Sequence, residues 1–123
     1  MITGTVNSRH EILIRLPVRN AAGSEQEVEA ILDTGFNGSL TLPPALTVSL
    51  GLTWVTRGSA ILANGTVEQF DVYAATVLWD GIPQSIMVPA IHTAPLLGMA
   101  LLTGYDLRVR VAVGGLVQIE AIP

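Results

Sequence analysis

Asp33 follows the apolar run Ala30-Ile31-Leu32 and precedes Thr34-Gly35, so a carboxyl group stands at the end of a strand-like segment and inside a turn. A second apolar run resumes at Leu40 and Leu42 and stops at Pro43-Pro44. An ionisable group in such a place is costly unless something pairs with it. Loops held on a rigid scaffold also carry much of protein chemistry. The same residue types describe an ordinary strand-end Asp that bonds its own turn beside a glycine. Residue types alone leave both readings open.

Other chemistries fall away by elimination. The chain has no Cys and no G-x-S-x-G elbow, and His10 and His92 each stand alone, as surface or capping residues do. A metal site needs three or four convergent ligands, and no set here has that spacing. Glu25, Glu27 and Glu29 alternate with Gln26, Val28 and Ala30, which is the pattern of a solvated strand face. No Gly-rich phosphate loop is present. Neither metal nor cofactor is expected. What remains is carboxylate chemistry at Asp33. One carboxylate cannot be both acid and base toward a peptide bond, whereas two that share a proton can. Asp71, Asp80 and Asp106 lie in hairpin or helix-end contexts, so the partner of a catalytic Asp33 would be Asp33 of a second copy on a two-fold axis.

The segments that must position this carboxyl read mostly as β-structure. Glu11–Arg19 carries Ile12, Ile14, Leu16 and Val18 in phase, a strand with one buried face, and Pro17 predicts an edge position or a bulge. Asn20–Ser24 turns the chain, and Gln26–Leu32 returns to deliver Asp33. Ala45–Leu50 fits one or two helical turns between Pro44 and Gly51. Ser59–Ala63 and Thr66–Tyr73 form a hairpin at Asn64-Gly65, and Val72–Leu78 and Ile82–Val88 form another at Asp80-Gly81. Leu96-Leu97-Gly98 leads into a short helix over Met99–Thr103, closed by Gly104. Leu107–Val113 and Leu116–Ala121 make a last hairpin at Gly114-Gly115.

Residues 1–123 read as a single domain, with enough length for a real core. Half of the residues are hydrophobic and 13% are charged, which excludes disorder and favours a covered surface, most simply against a second copy. A net charge of −4 with scattered arginines argues against nucleic acid. Residues 1–9 have no apolar core of a signal peptide, and no apolar stretch is long enough to span a membrane. The expected location is the cytoplasm.

Asp33-Thr34-Gly35, with Ala-Ile-Leu before it and an apolar strand ending in Pro after it, resembles the active-site signature of retropepsin-like aspartic proteases. The rest of the plan follows in order from about Glu11 to Glu120: a Gly-tipped hairpin at Ala63-Asn64-Gly65 in the flap position, Leu96-Leu97-Gly98 as the hydrophobic-hydrophobic-Gly buttress, and a closing C-terminal hairpin. Asp-Thr-Gly-Phe is similar to small single-domain prokaryotic members.

The resemblance implies an all-β, half-barrel fold with one or two short helices, closed as a two-fold homodimer. It implies an aspartic endopeptidase acting on extended peptide or unfolded protein. Asp33 would supply the shared-proton dyad, Thr34 would bond across the axis, and Gly35 would admit the substrate backbone. Phe36, Asn37, Ala63, Asn64 and Gly65 would contact substrate, and Ile61 and Ile86 are further candidate pocket walls. Two positions depart from the pattern. Phe36 brings no hydroxyl to the dyad, and Met99-Ala100 after Gly98 leaves Asn37 without the arginine that retroviral enzymes have. Dimer contacts are therefore expected at the apolar strand Leu116–Ile122. The other class of reading is a catalytically silent β-dimer that uses the same cleft as a peptide-binding or assembly module.

Overall fold

The computed structural model describes Met1–Pro123 as ten strands and one short helix. The chain opens with β1 (Ile2–Val6), β2 (Ile12–Arg19) and β3 (Glu25–Leu32). In β2 the in-phase residues Ile14, Leu16 and Val18 are buried, and Arg15 lies on the solvent face. Arg15 and Arg19 meet Glu29 and Glu25 across the β2–β3 pair, at 3.3 and 2.7 Å. The Glu row is thus a solvated, cross-strand-paired face, where each such pair contributes a fraction of about 1 kcal/mol.

After β4 (Leu40–Thr41) the helix α1 (Pro44–Ser49) begins with proline in its first turn, where a missing N–H costs nothing. Gly51, at a φ of 66°, turns the chain out of it. Then come β5 (Thr53–Ile61), β6 (Val67–Trp79) and β7 (Ile82–Pro89). The two segments expected around residues 66–78 are one continuous strand, β6, which pairs with β5 along its first half and with β7 along its second. Trp79 pairs with Ile82 across Asp80 and Gly81, both at positive φ, so this is a tight two-residue turn. β8 (Leu96–Leu97), β9 (Tyr105–Val109) and β10 (Leu116–Ala121) complete the chain.

One curled sheet runs in the order β4-β8-β3-β2-β1-β10-β9, with β6 attached to β2 and carrying β5 and β7. Ile14, Leu16, Val77, Trp79, Val88, Leu97, Val117 and Ile119 lie inside it, each at 1% exposure or less. Each such side chain adds roughly 1.5–3 kcal/mol by leaving water. No helix is long and apolar enough to cross a membrane.

Three expectations need correction, and one strand was not foreseen. Met99–Thr103 is not a helix but a succession of tight turns, with Leu102 N–H on Met99 C=O and Tyr105 N–H on Leu102 C=O. Leu101 and Leu102 are buried there, so packing overrides their helix propensity. Pro17 lies in an interior strand: β1 pairs with β2 at Ile12–Ile14 and β6 at Val18–Arg19, and Pro17 falls in the gap between them, where no N–H is demanded. Ile2–Val6 is the unforeseen strand, a short β-branched run with Gly4 at its centre. Finally, Leu116–Ala121 is flanked by β1 and β9 within its own chain, so neither edge is open to a second copy.

Candidate functional site

β8 lies between β3 and β4. It pairs in parallel with β3, Ile31 opposite Leu96 and Leu32 opposite Leu97, and antiparallel with β4, Leu40 opposite Leu97. The chain therefore leaves β3 on one side of β8, loops through residues 33–39, and returns as β4 on the other side. The apolar runs on both sides of Asp33 and the pair Leu96-Leu97 produce this arrangement, because all three segments bury side chains in one place. Leu32, Leu40 and Leu97 are buried together.

Backbone hydrogen bonds fasten the loop to the segment around β8. Asp33 N–H donates to Leu97 C=O at 2.9 Å, and Gly98 N–H donates to Ser39 C=O at 2.9 Å. Met99 N–H reaches Phe36 C=O at 2.8 Å, and Ala100 N–H reaches Gly38 C=O at 3.1 Å. Within the loop, Phe36 N–H donates to Asp33 C=O, and Gly35 N–H donates to Asp33 Oδ1 at 2.9 Å. The carboxyl is half-buried, oriented through one oxygen, and has its other oxygen free. Thr34 and Gly35 beside it are exposed.

The glycines of the site answer to close approach. A Cβ on Gly98 would run into the Gly38 carbonyl oxygen and the Phe36 ring, and a Cβ on Gly38 would meet Phe36 Cζ at 2.5 Å. On Gly35 it would sit 3.2 Å from Asp33 Oδ1. The Phe36 ring is half-buried against Gly38 and Gly98, so it holds the loop together and does not stand free in a cleft. Asn37 is exposed. Ile86 belongs to the core at 9% exposure and lines a hollow with Arg19, Thr53 and Thr76 that includes none of residues 33–39, whereas Ile61 is 78% exposed.

Ala63, Asn64 and Gly65 form the tip of the β5–β6 hairpin and are all exposed. The tip is not a two-residue turn. Leu62 N–H donates to Thr66 C=O, Gly65 N–H returns to Leu62 C=O, and Gly65 alone has positive φ, at 83°. That is a three-residue loop with its glycine in the left-handed region. Asn64 Oδ1 accepts from Thr66 N–H at 3.0 Å and from Thr66 Oγ1 at 2.6 Å. No hydrogen bond joins the tip to residues 33–39. The structure thus brings Asp33, Thr34, Gly35, Phe36, Leu96, Leu97 and Gly98 together and ties residues 63–65 to none of them by a hydrogen bond.

A depression of about 350 Å³ opens along the hairpin, between Leu62, Glu68 and Phe70 on one side and Ala90, Ile91 and His92 on the other. Sequence reasoning set His92 aside as a lone histidine and did not consider Glu68. Only the pairing of β6 with the segment after β7 brings the two to one hollow.

No family model matches the chain, and no curated protein sequence matches it. Among solved structures it is similar to a retropepsin-like aspartic protease from Rickettsia conorii. The two are 18% identical with a TM-score of 0.58, over 99% of this chain and 91% of that one. The likeness establishes the fold as retropepsin-like: mostly β, with the sheet curled into a half-barrel.

Proposed function

We propose that this chain is an aspartic endopeptidase whose catalytic dyad consists of Asp33 and its two-fold copy. The observation that carries the reading is the clamped loop. β8 holds the strands that enter and leave the loop, one on each side, Gly35 N–H orients one carboxylate oxygen, and the other oxygen and the exposed Thr34 side chain make no hydrogen bond within the chain.

The chemistry follows from two carboxyls too close to ionise together. The ionised one takes a proton from a water as its oxygen attacks the peptide carbonyl carbon, and the protonated one gives its proton to the carbonyl oxygen. When the C–N bond breaks, the protonated carboxyl gives its proton to the leaving nitrogen while the other carboxylate takes one from a hydroxyl of the tetrahedral intermediate, which restores the dyad and leaves a carboxylic acid. Gly35 keeps the approach clear of a side chain, and the 63–65 tip of each copy closes over an extended peptide to exclude water.

The test is cleavage of an unfolded protein across roughly pH 4 to 7. Wild type should cleave, and Asp33→Asn should lose roughly 10³-fold or more. A wild type that binds peptides without cutting them would replace this reading with the silent binding module.

A further inference from the structure

Five strand edges of the fold are unpaired over much of their length, and four of them are blunted: β3, beyond its short pairing with β8, presents Glu25, Glu27 and Glu29, a row of like charges that would repel a copy. β4 is only two residues long, β7 carries Pro83 and Pro89, and β5 is broken by an irregularity between Trp54 and Thr56. Short length, proline and bulges are the usual devices against edge pairing. β9 has none of them. It ends the sheet, pairs only with β10, and runs Tyr105-Asp106-Leu107-Arg108-Val109 without proline or bulge.

The side chains of β9 fit a copy of themselves. Tyr105, Leu107 and Val109 sit on the core side and stay half-buried, packed on the core at its open end. Asp106 and Arg108 are exposed on the other face. Arg15, Arg19 and Arg57 each have an acidic partner within the chain, whereas Asp106 and Arg108 have none. If two β9 strands pair antiparallel about Leu107, residues 106 and 108 fall opposite one another. Asp106 of each copy then faces Arg108 of the other, twice over, and Tyr105 faces Val109 so that the apolar layer continues.

We infer that β9 is the dimer strand: two copies join edge to edge about Leu107, building one sheet from β1, β10 and β9 of each. This rests on the reading above, in which Asp33 needs a second copy, and adds where that copy binds. The expected Leu116–Ile122 contact is replaced, because β10 is already paired on both edges.

Charge reversal at two exposed positions provides the test, followed by sedimentation equilibrium. Asp106→Arg and Arg108→Asp each turn both cross-strand pairs from attractive to repulsive, which should weaken the dimer roughly tenfold. An equal mixture of the two variants restores attraction at both pairs and should dimerise at wild-type strength. Singles that dimerise like wild type, a mixture no stronger than the singles, or a monomeric wild type would each overturn the inference. The two readings fail separately. A wild-type dimer that cleaves nothing, with the charge pattern obeyed, leaves the interface standing and removes the peptidase. Cleavage lost in Asp33→Asn while both charge variants stay dimeric removes the interface and leaves the peptidase.

Discussion

The loop at residues 33–39 and the hairpin tip at residues 62–66 share a local device. In each, an acidic or amide side chain bonds the backbone N–H two residues ahead: Asp33 to Gly35, and Asn64 to Thr66. Beyond that they differ. The first loop is fastened to a separate strand by backbone bonds at Asp33, Phe36, Gly38 and Ser39, and the Phe36 ring is wedged against two glycines. The tip is held only by its own turn, on a ribbon whose β5 strand is exposed almost throughout. Local turn chemistry is therefore the same in a loop fastened to distant chain and in one fastened only to itself, and long-range fastening is what separates them.

Substitutions can sharpen or break this contrast, and the largest effect is expected at Gly98. Gly98→Ala forces a methyl into the Gly38 carbonyl, a backbone atom that cannot swing aside, and should cost about 3 kcal/mol. A urea midpoint equal to wild type would mean that the loop yields far more easily than its bonds imply. Phe36→Ala removes a half-buried ring and should cost about 2 kcal/mol in the same measurement. At the tip, Gly65→Ala meets open space but inherits a left-handed φ of 83°. Its cost is about 1 kcal/mol, and it should appear as faster amide exchange at residues 62–66 with the global midpoint unchanged. A global shift from Gly65→Ala would show that the tip is coupled to the rest of the fold.

What was legible in the sequence follows the same division. Asp33 and Leu96-Leu97-Gly98 could be read together because each carries a strong pattern: a carboxyl ending an apolar run, and two apolar residues before a glycine. Their meeting is a 64-residue closure that no local pattern states, and the family resemblance supplied it. β1 went unread although Ile2, Thr3, Thr5 and Val6 are all β-branched; the run is short and carries Gly4 at its centre, and its pairing with β10 and β2 defines it. Met99–Thr103 has helix-forming residues but must bury Leu101 and Leu102 directly beside the loop, which tight turns achieve. Pro17 read as an edge marker because sequence could not show a strand whose neighbour changes halfway along. The packing of the Phe36 ring on Gly38 and Gly98 is a further contact that the sequence did not state.

The parallel contact of β3 with β8, and the placing of β1 against β10, also set an order in time. Asp33 cannot be fixed until Leu97 has been made, and Ile2 waits for Ile119. Chains dominated by such distant pairings fold in roughly milliseconds to seconds, because loop closure is opposed by entropy before any contact forms. On a ribosome adding about 5–20 residues per second, the loop would stay unassembled for several seconds after Asp33 is made. A nascent chain would thus carry the acid without the site. On the proposed peptidase reading, unfolded neighbours would be safe from it during synthesis.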